Sequence, residues 1–174
     1  MRSNDPAPAL LRVVLHSPRI PHNAAQIART CYVMDLALHL IRPLGFRLDA
    51  AALRRAGVGY WDLLQPVVHD DETAFWRAAG DPERVFLLSR RGGRPLTEAG
   101  FRAGDWLALG NEEEGLPASW IEARPDRTLA IPMRRDDARC LNLASAASMA
   151  IFEAMRQIGA FDRASQCGRS EREA

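Results

Sequence analysis

Short apolar runs alternate with helix-forming segments along most of this chain, and this alternation limits the folds that it can adopt. Strands are predicted at residues 11–16, 38–43, 63–68, 84–93 and 127–132, and a further strand is predicted to begin at residue 105 and to end within residues 107–115. Helical patterns occupy residues 22–37, 49–57 and 70–80 between them. Strands separated by helices predict an α/β fold with a mostly parallel sheet and helices on both faces.

The last helix is the most clearly predicted element. From Asn142 onward, apolar positions recur at steps of three and four residues, which gives one apolar stripe: Leu143, Ala146, Ala147, Ala150, Ile151, Ala154, Met155 and Ile158. The first half of this helix is nearly all alanine and serine. Such small residues permit the close approach of another backbone, from the same chain or from a partner subunit.

The length of 174 residues and the hydrophobic content of 47% predict a single domain, which we place at residues 10–161. Residues 1–9 and 162–174 are polar or broken by proline, so flexible ends are expected. The early run LLRVVL is too short to cross a membrane and is interrupted by Arg12. No membrane partner is therefore expected.

The charge of the chain bears on nucleic-acid binding. A formal net charge of +1 provides no global attraction to polyanions, so an RNA-binding surface would require local basic clusters. Arg54-Arg55, Arg90-Arg91 with Arg94, and Arg134-Arg135 with Arg139 are candidates, although solvated loops explain them equally well. All basic residues are arginines, which excludes Schiff-base chemistry and the phosphate-binding lysine of P-loop enzymes.

Cysteine and histidine usage argues against a metal centre. Cys31, Cys140 and Cys167 form no CxxC pair, so neither a disulfide framework nor a zinc site is expected, and a reducing cytoplasm fits. The four histidines show no partner spacing. The stretch from His69 to Glu72 is compatible with a metal cluster, but it fits better as the N-cap and first turn of the next helix.

Common enzyme motifs are missing from the places where they would be needed. No GxGxxG follows the first strand, which disfavours a dinucleotide-dependent oxidoreductase, and no GxSxG is present for a hydrolase. Three segments instead follow predicted strands: residues 21–31, 109–117 and 131–146. The second contains Glu112, Glu113 and Glu114 between two glycines, which alone would be a solvated acidic turn.

Taken together, these three segments resemble a known family. N-x-x-x-I-x-R spans residues 23–29, G-x-E-x-x-G-L-P spans 110–117, and I-P-M followed by R-x-x-N-L-x-x-A spans 131–146. Their order resembles the signature motifs of the SPOUT superfamily, the trefoil-knotted RNA methyltransferases that use S-adenosylmethionine. The resemblance covers residues 11–161, and RPLGFRLDAAALRRAGVGYWD resembles the compact branch that methylates the ribose 2'-oxygen of the tRNA wobble nucleotide.

This resemblance implies a C-terminal trefoil knot, a tRNA substrate rather than DNA, a homodimer and a cytoplasmic location. It places the S-adenosylmethionine site, formed largely by backbone groups, at Leu88, Gly110, Ile131, Cys140 and Leu141. Arg29 would orient the ribose hydroxyl or its phosphate, Asn23 would hold Arg29 in place, Glu112 matches the family glutamate, and Asn142 would anchor the third motif. These four are the predicted catalytic residues, and no metal is implied.

The chain also departs from the family pattern. Ala24-Ala25-Gln26 replaces the usual T-G-N, and Ala144 lacks the hydroxyl of a serine that is among the proposed active-site groups. Two hypotheses therefore stand, a homodimeric tRNA 2'-O-methyltransferase and a catalytically weak knotted descendant that binds RNA. An oxidoreductase is a distant third, and the tRNA isoacceptor and the modified nucleotide stay open.

Overall fold

The computed structural model describes residues 9–48, 59–135 and 140–162, which build a parallel sheet of seven strands. The strands are β1 (Leu11–His16), β2 (Ala37–Ile41), β3 (Val67–His69), β4 (Val85–Leu88), β5 (Arg94–Pro95), β6 (Asp105–Leu109) and β7 (Thr128–Ala130). The helices are α1 (Pro21–Val33), α2 (Tyr60–Leu64), α3 (Glu72–Ala79), α4 (Ala118–Ala123) and α5 (Leu143–Gln157). The strand order is β3-β2-β1-β6-β4-β7-β5 and every pair is parallel, so the predicted sheet is confirmed.

Both faces of the sheet are covered by helices, as predicted. Val13 and Leu15 of β1 point into an apolar cluster that also holds the buried residues of α1 and α5. Val14, between them, points into a second cluster with Phe75 of α3 and Trp120 of α4. Alternate residues of one strand thus serve two cores, which is why the central strands are apolar on both faces over most of their length.

The strand order brings distant loops together. β6 lies between β1 and β4, with Leu109 opposite Leu15 on one side and Leu88 on the other. Leu88 in turn pairs with Leu129 of β7. Since the carboxyl ends of parallel strands share one edge of the sheet, the loops after β1, β4, β6 and β7 become neighbours there.

Alanines form the contact between α1 and α5. Ala24, Ala25 and Ala28 of α1 are fully buried in the same cluster as Ala147 and Ala150 of α5. The small residues of the last helix therefore permit close packing within the chain, one of the two predicted alternatives. Alanine in place of the usual threonine at position 24 also fits this contact, because its smaller side chain allows close helix packing.

The predicted strand at residues 63–68 is wrong in its first half. Leu63 and Leu64 belong to α2, Gln65 ends that helix in a left-handed conformation with φ of 49°, and β3 begins only at Val67. A short apolar run does not distinguish a buried helix from a strand, and burial of Trp61 in the core favours the helix here.

Other predictions had mixed outcomes. The helix at 70–80 is confirmed as α3, with the Asp71 carboxylate accepting a hydrogen bond from the Ala74 N–H at 2.7 Å. The first helix ends at Val33, earlier than predicted, and β5 was not predicted. The helical turn at 49–57, Arg54-Arg55, Arg139, Cys167 and most of the two flexible ends lie outside the described residues. The trefoil knot stays a prediction.

Candidate functional site

A cavity of about 980 Å³ opens at the carboxyl ends of β4, β6 and β7, within the size range of small-molecule sites. Its lining includes all five predicted cofactor-binding residues: Leu88, Gly110, Ile131, Cys140 and Leu141. Three of the four predicted catalytic residues, Asn23, Glu112 and Asn142, also line it. The strand order thus places residues from all three sequence motifs around the same cavity.

Glu112 holds the start of α1 in place. This helix has no side-chain cap of its own and no acidic residue in its first turn. Glu112 Oε2 accepts a hydrogen bond from the Arg19 N–H at 2.9 Å, and Oε1 accepts one from the Ile20 N–H at 3.2 Å. A carboxylate from another loop therefore occupies the positive end of the helix dipole and fixes the loop after β1.

Asn23 joins Glu112 to the third motif. Its Nδ2 donates to Glu112 Oε1 at 2.9 Å, and its Oδ1 accepts from Asn142 Nδ2 at 3.0 Å. Asn142 Oδ1 in turn accepts from the N–H groups of Ala144 and Ser145, at 2.9 and 3.3 Å, and so caps α5. One hydrogen-bonded chain, Glu112–Asn23–Asn142, thus connects the starts of both long helices.

The loop that carries Glu112 folds tightly back on itself. The Asn111 side-chain oxygen accepts hydrogen bonds from the N–H groups of Glu113 and Glu114, at 3.0 and 2.7 Å. A Cβ atom at Gly110 would lie 1.9 Å from the carbonyl carbon of Gly115. Close backbone approach at Gly110 was predicted, but the backbone that it approaches is that of its own loop.

The second and third glutamates of the loop differ from the first. Glu113 and Glu114 are exposed, as predicted, and their carboxylates lie 3.8 and 3.6 Å from the Arg19 guanidinium. These exposed pairs are too long for good hydrogen bonds and contribute little stability. The acidic run therefore contains one structural carboxylate and two solvated ones.

Arg29 stands apart from the other predicted catalytic residues. It is exposed on α1, its guanidinium lies 5.5 Å from the centre of the Tyr60 ring, and it is not among the residues that line the cavity. Within a single chain, the structure therefore brings Asn23, Glu112 and Asn142 together but not Arg29.

Two polar contacts on the face of the sheet opposite α1 and α5 were not predicted from the sequence. Nδ1 of His39 lies 3.0 Å from Nε2 of His69, and the two rings stack. The pKa of His39 is lowered to about 4. Burial is the largest cause, and the neighbouring His69 and Arg12 contribute in the same direction. The spacing of the histidines could not show this pair, because it depends on the register of β2 against β3.

The second missed contact involves Glu72. Its carboxylate lies 2.9 Å from His16 Nε2 and accepts a hydrogen bond from the Trp120 indole N–H at 2.8 Å. Glu72 thus does more than provide first-turn charge for α3, since it also connects β1 to α4. Among the residues that the structure describes, no three His, Cys, Asp or Glu side chains are grouped as a metal site requires.

Comparisons with known proteins agree on one family. Residues 10–152 match the model described as "SpoU rRNA Methylase family". A tRNA (cytidine(34)-2'-O)-methyltransferase of Burkholderia cenocepacia is 42% identical over 152 residues, which cover 86% of this chain and 97% of that protein. A homologue in Escherichia coli K12 with the same name is 39% identical, with 86% and 95% covered.

Solved structures support the same relationship. A structure concerned with the 2-OH methylation of C/U34 on tRNA superposes with a TM-score of 0.79 and 46% identity, over 87% of this chain and 97% of that one. The SpoU methyltransferase AviRb from Streptomyces viridochromogenes, in complex with the cofactor AdoMet, has a TM-score of 0.67 and 28% identity. That match covers 90% of this chain and 63% of AviRb.

Proposed function

The chain belongs to the SpoU rRNA methylase family, and we propose that it transfers the methyl group of S-adenosylmethionine to the ribose 2'-oxygen of the tRNA wobble nucleotide. The observation that carries this proposal is the meeting of all three sequence motifs on one cavity at the carboxyl edge of the sheet. Homologues named for this reaction match the chain over most of its length.

The cavity fits the cofactor in size and in character. Leu88, Ile131 and Leu141 line the cavity and would offer apolar surface for an aromatic base, while Gly110 and Cys140 would contribute backbone groups for hydrogen bonds. Bound S-adenosylmethionine supplies a methyl group already activated by its sulfonium. The residues of the chain are then required to position the ribose hydroxyl and to help remove its proton.

The predicted catalytic residues divide into two kinds of role. Asn23, Glu112 and Asn142 position the loop after β1 and the start of α5 through their hydrogen-bonded chain. Arg29 orients the hydroxyl or the adjacent phosphate, since a guanidinium stays protonated and is unsuited to act as a base.

The active unit is proposed to be a homodimer. Tyr32 and Val33 at the end of α1 are 41% and 66% exposed, and Met149 and Phe152 of α5 are 49% and 54% exposed. Large apolar side chains exposed on two neighbouring helices are typical of an interface. A partner subunit on this face would also explain why Arg29 lies outside the cavity of its own chain.

The proposed domain covers residues 10–161. No helix among the described residues is long and apolar enough to cross a membrane. A tRNA substrate, together with the free thiols of Cys31 and Cys140, supports a cytoplasmic location.

The test is methylation of tRNA from a strain that lacks wobble methylation, with S-adenosylmethionine as methyl donor and nucleoside mass spectrometry as readout. We expect one 2'-O-methylated nucleoside to appear at position 34. An Arg29→Ala variant that still binds S-adenosylhomocysteine serves as the inactive control. Binding of tRNA without any methylation would support the catalytically weak alternative.

A further inference from the structure

The charges along the carboxyl edge of the sheet alternate in sign. In the order of the strands, a basic region is followed by an acidic region and then by a second basic region. Arg42 follows β2, Glu113 and Glu114 follow β6, Arg91 follows β4, and Arg134 follows β7. All five side chains are exposed. From β2 to β7 the edge crosses four strand spacings of about 4.8 Å, or about 19 Å in all.

Arginines at the opposite edge of the sheet, where the strands begin, are paired closely with carboxylates. Arg84 Nε lies 2.7 Å from Asp105 Oδ1, and Arg127 donates to Glu83 Oε2 at 3.1 Å. At the cavity edge, Arg42 is 3.7 Å from Asp70, whose side chain is 94% exposed. Such a solvated pair exchanges readily for another anion.

Backbone contacts hold two of the loops that carry these arginines, the loop after β4 with Arg91 and the loop after β2 with Arg42. In the loop after β4, the Ser89 N–H donates to the Leu129 carbonyl at 2.9 Å, and a Cβ at Gly92 would lie 2.5 Å from the Leu129 carbonyl carbon. In the loop after β2, the Arg42 N–H donates to the His69 carbonyl at 3.0 Å. The backbone at Arg42 and Arg91 is thus held in place, while both side chains are exposed to solvent.

The centre of the edge has the opposite charge. Arg19 offsets part of the charge of Glu113 and Glu114, but Glu112 adds a third carboxylate, so the loop keeps an excess of negative charge. This loop lines the cavity. A phosphate is repelled here and attracted on either side, whereas an uncharged ribose is not repelled.

We propose that the RNA backbone lies along this edge of the sheet. Arg42 binds a phosphate on one side of the acidic loop, and Arg91 and Arg134 bind phosphates on the other side. Glu113 and Glu114 keep phosphates away from the cavity mouth and so leave a ribose facing it. This inference rests on the proposed function and deepens it, because it names the surface that determines which ribose of the RNA faces the cavity.

The test uses the full chain and unmethylated tRNA, with binding measured at several KCl concentrations. Arg42→Gln, Arg91→Gln and Arg134→Gln should each weaken binding and reduce the slope of log K against log[KCl] by about 0.7, the value for one contact to a single strand. Arg102→Gln, the same charge change on an exposed residue at the opposite edge, is the control and should keep the wild-type slope. Calorimetry with S-adenosylhomocysteine checks that each variant has an intact cofactor site.

Removing the charges of Glu113 and Glu114 should change tRNA affinity in the opposite direction. The Glu113→Gln/Glu114→Gln double variant should bind tRNA more tightly at low salt, by several-fold, and methylate it more slowly in a single turnover. Wild-type slopes in the three arginine variants, or unchanged tRNA affinity in the double variant, would overturn the inference. Failure of the wild-type chain to methylate any tRNA would instead refute the proposed function, so the two failures are distinguishable.

Discussion

Asn142 donates a hydrogen bond from Nδ2 to Oδ1 of Asn23 across 3.0 Å, although 119 residues separate them in the chain. Each asparagine uses its other side-chain group in a different contact: Asn23 Nδ2 donates to Glu112, and Asn142 Oδ1 caps α5. Because an amide both donates and accepts, neither residue can be replaced by a carboxylate without losing one of these contacts.

Substitutions of Asn142 should separate its capping role from its contact with Asn23. Asn142→Asp keeps the oxygen that caps α5 but loses the donor to Asn23, so it should lose less stability than a variant without the cap and should methylate slowly. Asn142→Ala loses both and should also lower the free energy of unfolding by about 1–2 kcal/mol. Urea denaturation and single-turnover kinetics measure the two effects. Equal activity in Asn142→Asp and wild type would contradict a positioning role for the amide donor.

Glu112 and Glu113 are adjacent but should respond very differently to the same change. Glu112→Gln puts an N–H₂ group in place of one of the two carboxylate oxygens, which together accept hydrogen bonds from Arg19, Ile20 and Asn23, and should cost about 1–3 kcal/mol of stability. Glu113→Gln is the matched control and should change stability by less than about 0.5 kcal/mol. If the two variants unfold at the same urea concentration, Glu112 does not hold α1 in place.

The location of the site could be predicted from the sequence, but its internal contacts could not. Motifs that follow predicted strands must meet at one edge of a parallel sheet, and Asn23, Glu112 and Asn142 line the cavity at that edge, while their catalytic roles stay predictions. The bonds from Glu112 to the N–H groups of Arg19 and Ile20 depend on how two loops face each other, which no local pattern shows.

The errors in the predicted fold also have physical causes. Leu63 and Leu64 are apolar in either a helix or a strand, so periodicity could not assign so short a run. The contact between His39 and His69 depends on strand register, which aligns Ile41 with His69 and Val67 with His39. Register results from packing of both faces, and spacing along one strand does not reveal it.

The partly buried His39 should make the free energy of unfolding fall in mildly acidic solution. Its pKa is lowered to about 4, below the value of about 6.5 for the unfolded chain, so unfolding takes up a proton between these pH values. The stabilising effect of the neutral ring is fully present above about pH 6.5 and is lost as pH falls toward 4, by up to about 3 kcal/mol.

The measurement is urea denaturation at intervals from pH 7.5 to 4.5, for wild type and for His39→Asn. The difference between the two chains isolates this histidine from the carboxylates that titrate in the same range. We expect the wild type to lose its advantage over the variant as pH falls. A constant difference across the range would mean that His39 titrates normally in the folded state.

Arg29 is predicted to act across the subunit interface of the proposed dimer. Its exposed position outside the cavity of its own chain means that a complete site would require Arg29 from one subunit and the cofactor loop from the other. Arg29→Ala should therefore be inactive while its cavity stays intact. Gly110→Val should be inactive for a different reason, because any Cβ at this position collides with the Gly115 backbone and displaces the loop.

Mixing the two inactive chains tests this arrangement directly. If Arg29 acts in trans, a mixed dimer has one site with an intact arginine and an intact cofactor loop, and one site with neither. Random exchange should then restore roughly a quarter of the wild-type activity, since half of the dimers are mixed and half of their sites are complete. Exchange is confirmed by native mass spectrometry of chains carrying different tags, and a mixture of Arg29→Ala with wild type controls for dilution. If mixed dimers form and the Arg29→Ala and Gly110→Val mixture stays inactive, Arg29 does not complete the site of its partner.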